Sequence, residues 1–154
     1  MPSLHLALLA PEIHWNTGNL GRTALAVGAQ LHLIAPLGFS LDDKQVRRAG
    51  LDYWERVRPR IWPDWATFEA ALPSLGQPYF FSANAPRTYW DERFADDAVA
   101  IFGCESVGLP RELLARNPGR VLGLPMRDPE LRSLNLSTAA AVVAYEIVRQ
   151  RALL

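Results

Sequence analysis

The sequence lacks most of the residues from which metal and thiol centres are built. It has one cysteine, Cys104, in 154 residues, so no internal disulfide can form, and no CxxC or Cys/His spacing suggests zinc. Cys104 has no basic neighbour in sequence, which indicates an inert thiol. The three histidines, His5, His14 and His32, are scattered, and His5 and His32 lie in apolar runs typical of core histidines. We therefore predict no metal.

Long apolar runs and an excess of one charge are also missing. No apolar run reaches the roughly 18 residues that a membrane-spanning helix needs. The first residues show no basic leader before their short apolar run, so we predict a cytoplasmic protein without membrane contact. Basic and acidic residues number 16 each, which argues against non-specific coating of nucleic acid. The length fits a single domain over residues 1–154.

Three common catalytic or nucleotide-binding motifs are absent as well. The chain has neither GxGxxG nor GxxxxGK[ST], so its glycine-bearing loops do not match the two common phosphate cradles. It also has no G-x-S-x-G elbow, which removes the main support for a Ser/His/Asp hydrolase.

Short apolar runs alternate with helical patterns along the chain. Strands are predicted at 4–10, 31–35, 56–60, 79–82, 98–102 and 121–124, and helices at about 18–29, between 40 and 50, from 63, from 110 and at 137–151. This alternation predicts an α/β domain with a mostly parallel sheet.

One stretch, residues 44–60, is locally basic despite the neutral total. It holds six basic residues against two acidic ones, with Tyr53 and Trp54 between them. Such a mixture can bind phosphates and stack bases, which predicts RNA binding. A solvated helix face followed by an exposed strand is the alternative. The basic residues are Lys44, Arg47, Arg48, Arg56, Arg58 and Arg60.

Three loops after predicted strands are rich in polar residues and glycine. Parallel sheets bind ligands outside the carboxyl ends of their strands, so these loops are the places to look. They cover residues 11–22, 103–110 and 125–137. The last places Arg132, Ser133, Asn135 and Ser137 at the mouth of an apolar helix. One cap is enough for a helix start, so some of these side chains are expected to serve a ligand, with capping and loop solubility as the alternative.

Taken in order, the three loops carry motifs that resemble the SPOUT superfamily of RNA methyltransferases. The motifs are N-x-G-N-x-x-R at 16–22, F-G-x-E-x-x-G-L-P at 102–110, and L-P-M at 124–126 followed by R-S-L-N-L-S at 132–137. They are most similar to the branch that methylates the ribose 2′-oxygen of the tRNA wobble nucleotide. Residues 42–54, DDKQVRRAGLDYW, also look like that branch, and the resemblance covers nearly the whole chain.

The resemblance implies a C-terminal deep trefoil knot and a pocket for S-adenosylmethionine. The residues it implies for the cofactor are Phe81, Ser82, Gly103, Glu105, Gly108, Leu124, Met126, Ser133 and Asn135. We expect Gly103 and Gly108 to let the ligand approach the backbone closely. At the last helix we interpret Asn135 as a site residue and Ser137 as the cap.

The resemblance also implies the chemistry, an attack of a ribose 2′-hydroxyl on a methyl donor. The residues implied for catalysis are Asn16, Arg22, Glu105, Ser133 and Asn135. Arg22 is often described as the base in such enzymes, but a neutral guanidinium is costly at pH 7, so we favour phosphate binding. Glu105 is expected to orient Arg22 or to take the proton, and both alternatives stay open.

The implied partners are the anticodon arm of tRNA and a second copy of the chain. The apolar helix at 137–151 and the helix after Asn16 are expected in the dimer interface, with each site using the basic stretch of the partner. Two other functions remain: 2′-O-methylation of another RNA such as ribosomal RNA, and a non-catalytic RNA-binding or assembly role.

Overall fold

The side chains of the short apolar strands point alternately to the two faces of one sheet, and helices cover both faces. The computed structural model describes residues 3–41 and 53–151. Its strands are β1 (His5–Leu9), β2 (Gln30–Ile34), β3 (Arg60–Trp62), β4 (Gln77–Phe81), β5 (Arg87–Thr88), β6 (Ala98–Phe102) and β7 (Val121–Gly123). Its helices are α1 (His14–Val27), α2 (Trp54–Val57), α3 (Trp65–Leu75), α4 (Arg111–Ala115) and α5 (Leu136–Arg151), with 3₁₀ turns at Tyr89–Asp91 and Pro118–Arg120.

The sheet has the strand order β3-β2-β1-β6-β4-β7-β5, and the paired strands run parallel. This confirms the predicted fold class. Strand β4 precedes β6 and β7 in sequence but lies between them in the sheet. The connection from β6 to β7 therefore crosses over β4. A knot requires crossings of this kind, and the knot itself stays a prediction.

Two hydrophobic cores form, one on each face of the sheet. The larger core packs α1, α2 and α5 against one face, and Leu6, Leu33 and Phe81 belong to it. The smaller core packs α3 and α4 against the other face, where Ile34 and Phe80 point. Neighbouring positions such as Phe80 and Phe81 therefore serve different cores, as the two-residue period of a strand requires.

The first helix begins four residues earlier than predicted, at His14 instead of residue 18. Asn16 is therefore helical instead of lying in a loop, while Arg22 lies in the helix as predicted. The helix ends at Gly28, whose φ of 72° is left-handed, and the Gly28 N–H donates to the carbonyls of Ala24 and Leu25. This geometry is a typical glycine C-terminus.

Three further predictions differ from the structure or lie outside it. The strand predicted at 56–60 was wrong, because Arg56 lies in α2 and the strand begins only at Arg60. Arg58 between them has a φ of 46°, which interrupts extended backbone. The two-residue strand β5 was not predicted. The helix predicted between 40 and 50, with Lys44, Arg47 and Arg48, lies outside the described residues.

The described residues include no helix long and apolar enough to cross a membrane.

Candidate active site

The three motif loops meet at the carboxyl-terminal edge of the sheet. The loop after β1 leads into α1, the loop after β6 carries residues 103–108, and the segment after β7 leads into α5. Because β1 and β6 are neighbours in register, their carboxyl ends place Glu105 beside the start of α1. The sheet thus brings together residues more than 80 positions apart in sequence.

Glu105 holds the start of α1 from another part of the chain. Its Oε1 accepts the backbone N–H of Glu12 at 2.8 Å, and its Oε2 accepts the N–H of Ile13 at 2.8 Å. Oε2 also accepts the side-chain amide of Asn16 at 3.0 Å. Helix α1 has no side-chain cap at Ile13, and this carboxylate instead holds the two residues that lead into the helix and places a negative charge at its N-terminus.

Asn16 links Glu105 to the start of α5. It is 1% exposed, and its Oδ1 accepts the side-chain amide of Asn135 at 3.0 Å. The Ser137 hydroxyl donates to Asn135 Oδ1 at 2.7 Å and lies 3.5 Å from Asn16 Oδ1. Glu105, Asn16 and Asn135, one residue from each motif, therefore form a continuous hydrogen-bonded chain.

The prediction that Ser137 caps the last helix was wrong. Asn135 Oδ1 accepts the backbone N–H of Thr138 at 3.1 Å, so Asn135 is the cap of α5. The helix begins at Leu136, and a cap is the residue immediately before the first helical residue. Ser137 lies inside the first turn, and its hydroxyl bonds to the capping amide.

The two loop glycines have a structural role in the loop itself, and the close approach of a ligand to them stays a prediction. A Cβ at Gly103 would lie 2.1 Å from the carbonyl carbon of Gly108, so Gly103 makes room for the returning loop. Gly108 has a φ of 72°, and nothing lies within 4 Å of the position of its missing Cβ. Both glycines serve the tight loop closed by the bridge between Cys104 and Gly108.

A second contact on this loop had no signal in the sequence. Glu12 Oε1 accepts the backbone N–H of Ser106 at 3.0 Å and its hydroxyl at 2.6 Å. These two hydrogen bonds lower the pKa of the Glu12 carboxyl from its ordinary value. Glu12, before α1, thus accepts hydrogen bonds from the loop after β6, and Glu105 in that loop accepts hydrogen bonds from the segment before α1. Positions 94 residues apart give no local pattern from which such a pair can be predicted.

Arg22 lies exposed on α1, outside the chain of motif hydrogen bonds. Its guanidinium carbon lies 5.5 Å from the centre of the Tyr53 ring. No salt bridge joins Arg22 to Glu105, both of which the structure describes. The carboxylate oxygens of Glu105 already accept three N–H donors, so the structure does not show Glu105 orienting Arg22.

Part of the basic stretch lies against the same helix. Trp54 and Val57 of α2 are buried against α1 at Gly21, whose missing Cβ would lie 2.9 Å from Trp54 Cζ3. Arg56 and Arg58 on the other side of α2 are exposed. The packing of this helix against α1 therefore leaves both cations on the surface.

A cleft of about 550 Å³ opens at the carboxyl ends of β4 and β7. Of the residues predicted to bind the cofactor, Leu124 and Met126 line it. Its wall carries charges of both signs, Arg87 and Arg132 with Asp91 and Asp128. Its volume falls in the range typical of small-molecule sites.

The other predicted cofactor residues do not line the cleft. The Phe81 ring stacks on Phe102 at 4.8 Å inside the larger core. Ser82 donates its N–H to the carbonyl of Leu122 at 3.0 Å, and its hydroxyl accepts the N–H of Asn84. Ser133 is exposed ahead of α5.

The two histidines in apolar runs pair with each other instead of facing the cleft. Trp62 Nε1 donates to His32 Nδ1 at 3.0 Å, so the His32 proton lies on Nε2, which is 2.9 Å from His5 Nδ1. Burial, followed by the charges of His5 and Arg60, lowers the pKa of His32 to about 3. Within the described residues, no group of three or more His, Cys, Asp or Glu side chains is placed to hold a metal.

Comparison with known proteins gives a consistent result over nearly the whole chain. The model of the SpoU rRNA Methylase family matches residues 3–145. The tRNA (cytidine(34)-2'-O)-methyltransferase of Burkholderia cenocepacia is 47% identical over 148 residues, covering 95% of this chain and 94% of that protein. The enzyme of the same name from Acidovorax sp. is 43% identical over 152 residues, covering 97% and 93%.

Solved structures agree with these relatives. A structure described as giving insight into the 2-OH methylation of C/U34 on tRNA is 47% identical, has a TM-score of 0.92, and covers 97% of each chain. An AdoMet-bound rRNA methyltransferase from Sinorhizobium meliloti is 25% identical with a TM-score of 0.81, covering 99% of this chain and 57% of that one.

Proposed function

The chain belongs to the SpoU rRNA methylase family, and on this basis we propose that it methylates the ribose 2′-hydroxyl of the wobble nucleotide of tRNA. The single observation that carries the proposal is the meeting of the three motifs. Glu105, Asn16 and Asn135 are hydrogen-bonded to one another at the carboxyl ends of the strands, beside a cleft of ligand size. We place the enzyme in the cytoplasm with its tRNA substrate.

S-adenosylmethionine is the proposed methyl donor, and the cleft fits its chemistry. The donor carries an ammonium and a carboxylate on its amino-acid part, and the cleft offers both aspartate and arginine side chains. Leu124 and Met126 supply apolar surface. When bound, this group supplies an electrophilic methyl. We propose no metal.

Three residues of the chain have proposed roles in binding and orienting the two substrates. Arg22 binds the phosphate beside the target ribose, since an exposed guanidinium presents several donors in a fork that matches phosphate oxygens. Glu105 holds α1 against the loop after β6 and so fixes the register of Arg22 relative to the cleft. Ser133, exposed ahead of α5, is available to donor or ribose. Rate enhancement comes mainly from orientation of the two substrates.

We also propose a homodimer formed by α1 and α5. These two helices pack against each other within the chain, and each keeps one exposed stripe. Trp15 on α1 is 50% exposed, and Val142 and Tyr145 on α5 are 39% and 48% exposed. Large exposed apolar side chains on two neighbouring helices favour an interface. Light scattering at micromolar concentration is expected to give a dimer, and a fully active monomer would contradict the proposal.

The RNA surface includes Arg56 and Arg58, and we extend it to Lys44, Arg47 and Arg48 on the basis of the sequence alone. In the dimer, the basic stretch of one subunit serves the site of the other and gives the anticodon arm a larger surface than one subunit offers. Lysine or arginine contacts to phosphates make such binding strongly dependent on salt.

Mapping ribose methylation in cells that lack the protein tests the function directly. We expect an unmodified wobble ribose in leucine tRNAs, restored by the wild-type gene and not by an Arg22→Ala variant. Unchanged tRNA with methylation lost from ribosomal RNA would instead support 2′-O-methylation of ribosomal RNA, the activity after which the family is named.

Calorimetry separates an enzyme from a non-catalytic RNA-binding protein that keeps the pocket. We expect S-adenosylmethionine to bind the purified protein. No binding at hundreds of micromolar would favour the non-catalytic role.

A further inference from the structure

The guanidinium of Arg22 lies over an aromatic ring whose position is fixed by packing. Its Cζ is 5.5 Å from the centre of the Tyr53 ring, within the distance at which a ring face attracts a cation. The ring is half-buried and packs against the larger core. An arginine on an exposed helix face otherwise loses rotamer freedom only when it binds its ligand.

Helix α2 explains why the ring stays at this place. Tyr53 immediately precedes α2, and the two buried residues of α2, Trp54 and Val57, pack against α1 at Gly21. A Cβ at Gly21 would lie 2.9 Å from Trp54 Cζ3 and 3.2 Å from Val57 Cγ2, closer than side chains normally approach. The glycine next to Arg22 therefore allows α2 to approach α1, and this approach brings Tyr53 to the guanidinium.

We propose that Tyr53 is a positioning residue for Arg22. Its ring holds the guanidinium in place before RNA arrives, so that binding a phosphate beside the target ribose costs less ordering of the arginine side chain. The inference rests on the proposed function for the role of Arg22, and it adds a residue outside the three motifs. It requires the ring face and not the phenol hydroxyl.

The first test observes the pair without measuring methylation. In protein labelled with ¹⁵N-arginine, the Arg22 Nε–H resonance, identified by its loss in Arg22→Lys, is expected to show the upfield shift caused by a ring. Tyr53→Leu should abolish this shift and Tyr53→Phe should keep it. An Arg22 resonance that is the same in wild type and Tyr53→Leu would overturn the proposal. Because no substrate is used, this result is independent of the proposed function.

The second test measures single-turnover methylation of tRNA with enzyme in excess. Tyr53→Leu is expected to lower kcat/KM for tRNA by about three- to tenfold, the range that a cation–π contact supports, while Tyr53→Phe changes it by less than about twofold. The affinity for S-adenosylmethionine should not change in either variant. Thermal unfolding and light scattering report whether each variant keeps its fold and assembly.

A double variant shows whether Tyr53 acts through Arg22. In an Arg22→Ala background, Tyr53→Leu should cause no further loss, because the side chain that it positions is gone. A second full loss there, or equal losses in Tyr53→Phe and Tyr53→Leu, would overturn the proposal.

Arg120→Leu is the matched control. It breaks an arginine–tyrosine pair of the same 5.5 Å separation, to Tyr79, at the amino-terminal edge of the sheet, and it should leave methylation unchanged. If the wild-type protein does not methylate tRNA, the proposed function fails, while the resonance test still decides the Arg22–Tyr53 contact.

Discussion

Replacing Glu105 by glutamine separates a structural carboxylate from a general base. In Glu105→Gln, the amide oxygen can keep the two bonds that Oε2 accepts, from the Ile13 N–H and the Asn16 amide. The amide nitrogen then faces the Glu12 N–H, so the third bond is lost and two donors oppose each other. For a partly exposed, charge-assisted bond we expect a loss of about 1 to 2 kcal/mol in the free energy of unfolding.

That loss corresponds to a fall of roughly 2 to 8 °C in Tm for a chain of this size. Removing all three bonds in Glu105→Ala should cost more, about 2 to 4 kcal/mol. Urea unfolding gives the free energies, and single-turnover methylation gives the rates. Glu112→Gln, at an exposed position on α4, is the matched control and should change neither quantity.

A general base would give the opposite pattern. Its loss costs on the order of 10² to 10⁴ in rate, without requiring any loss of stability. We expect Glu105→Gln to lose less than about tenfold in rate, because the loop is loosened but its chemistry is not removed. A rate loss above about 10² with an unchanged free energy of unfolding would refute our assignment of Glu105.

Three further predictions follow from other parts of the structure. Arg22→Lys loses the forked donor geometry, so we expect a rate loss on the order of 10² or more that no rise in pH restores, with unchanged binding of S-adenosylmethionine by calorimetry. In Gly103→Ala the new Cβ collides with the backbone of Gly108, so both S-adenosylmethionine binding and Tm should fall. The folded state holds the pKa of His32 near 3, below its ordinary 6.5, so the unfolded chain takes up this proton first as pH falls. Stability is therefore lost between about pH 6.5 and 3. We expect His32→Gln to flatten the unfolding free energy measured across that range.

The strands were predicted best where burial alone determines them. The strand at 98–102 has the predicted bounds, and all five of its residues are buried. A short continuous apolar run between turn residues is a sufficient signal for such a strand. The strand predicted at 56–60 failed because the stretch has few apolar residues and its backbone turns at Arg58, where φ is 46°.

The start of α1 at His14 could not be predicted from the residues around that position. Ile13 is a poor capping residue, and it has no side-chain cap bond. The segment that leads into the helix is instead held by Glu105, 92 positions away, whose carboxylate accepts the Ile13 N–H. A local pattern cannot reveal a contact of this kind. The same fact explains why Asn16 was placed in a loop.

The three motifs were recognised as a set, but the sequence did not show that their polar residues bind one another. Glu105, Asn16 and Asn135 satisfy each other's hydrogen-bonding groups, so losing one leaves a buried polar partner such as Asn16 unpaired. That coupling makes the three residues a framework that fixes where α1 and α5 begin. Arg22 and Ser133 are exposed and belong to no part of this framework. Within the predicted catalytic set, these two side chains are left available by the framework, and we propose that a substrate meets them at a place that the framework determines.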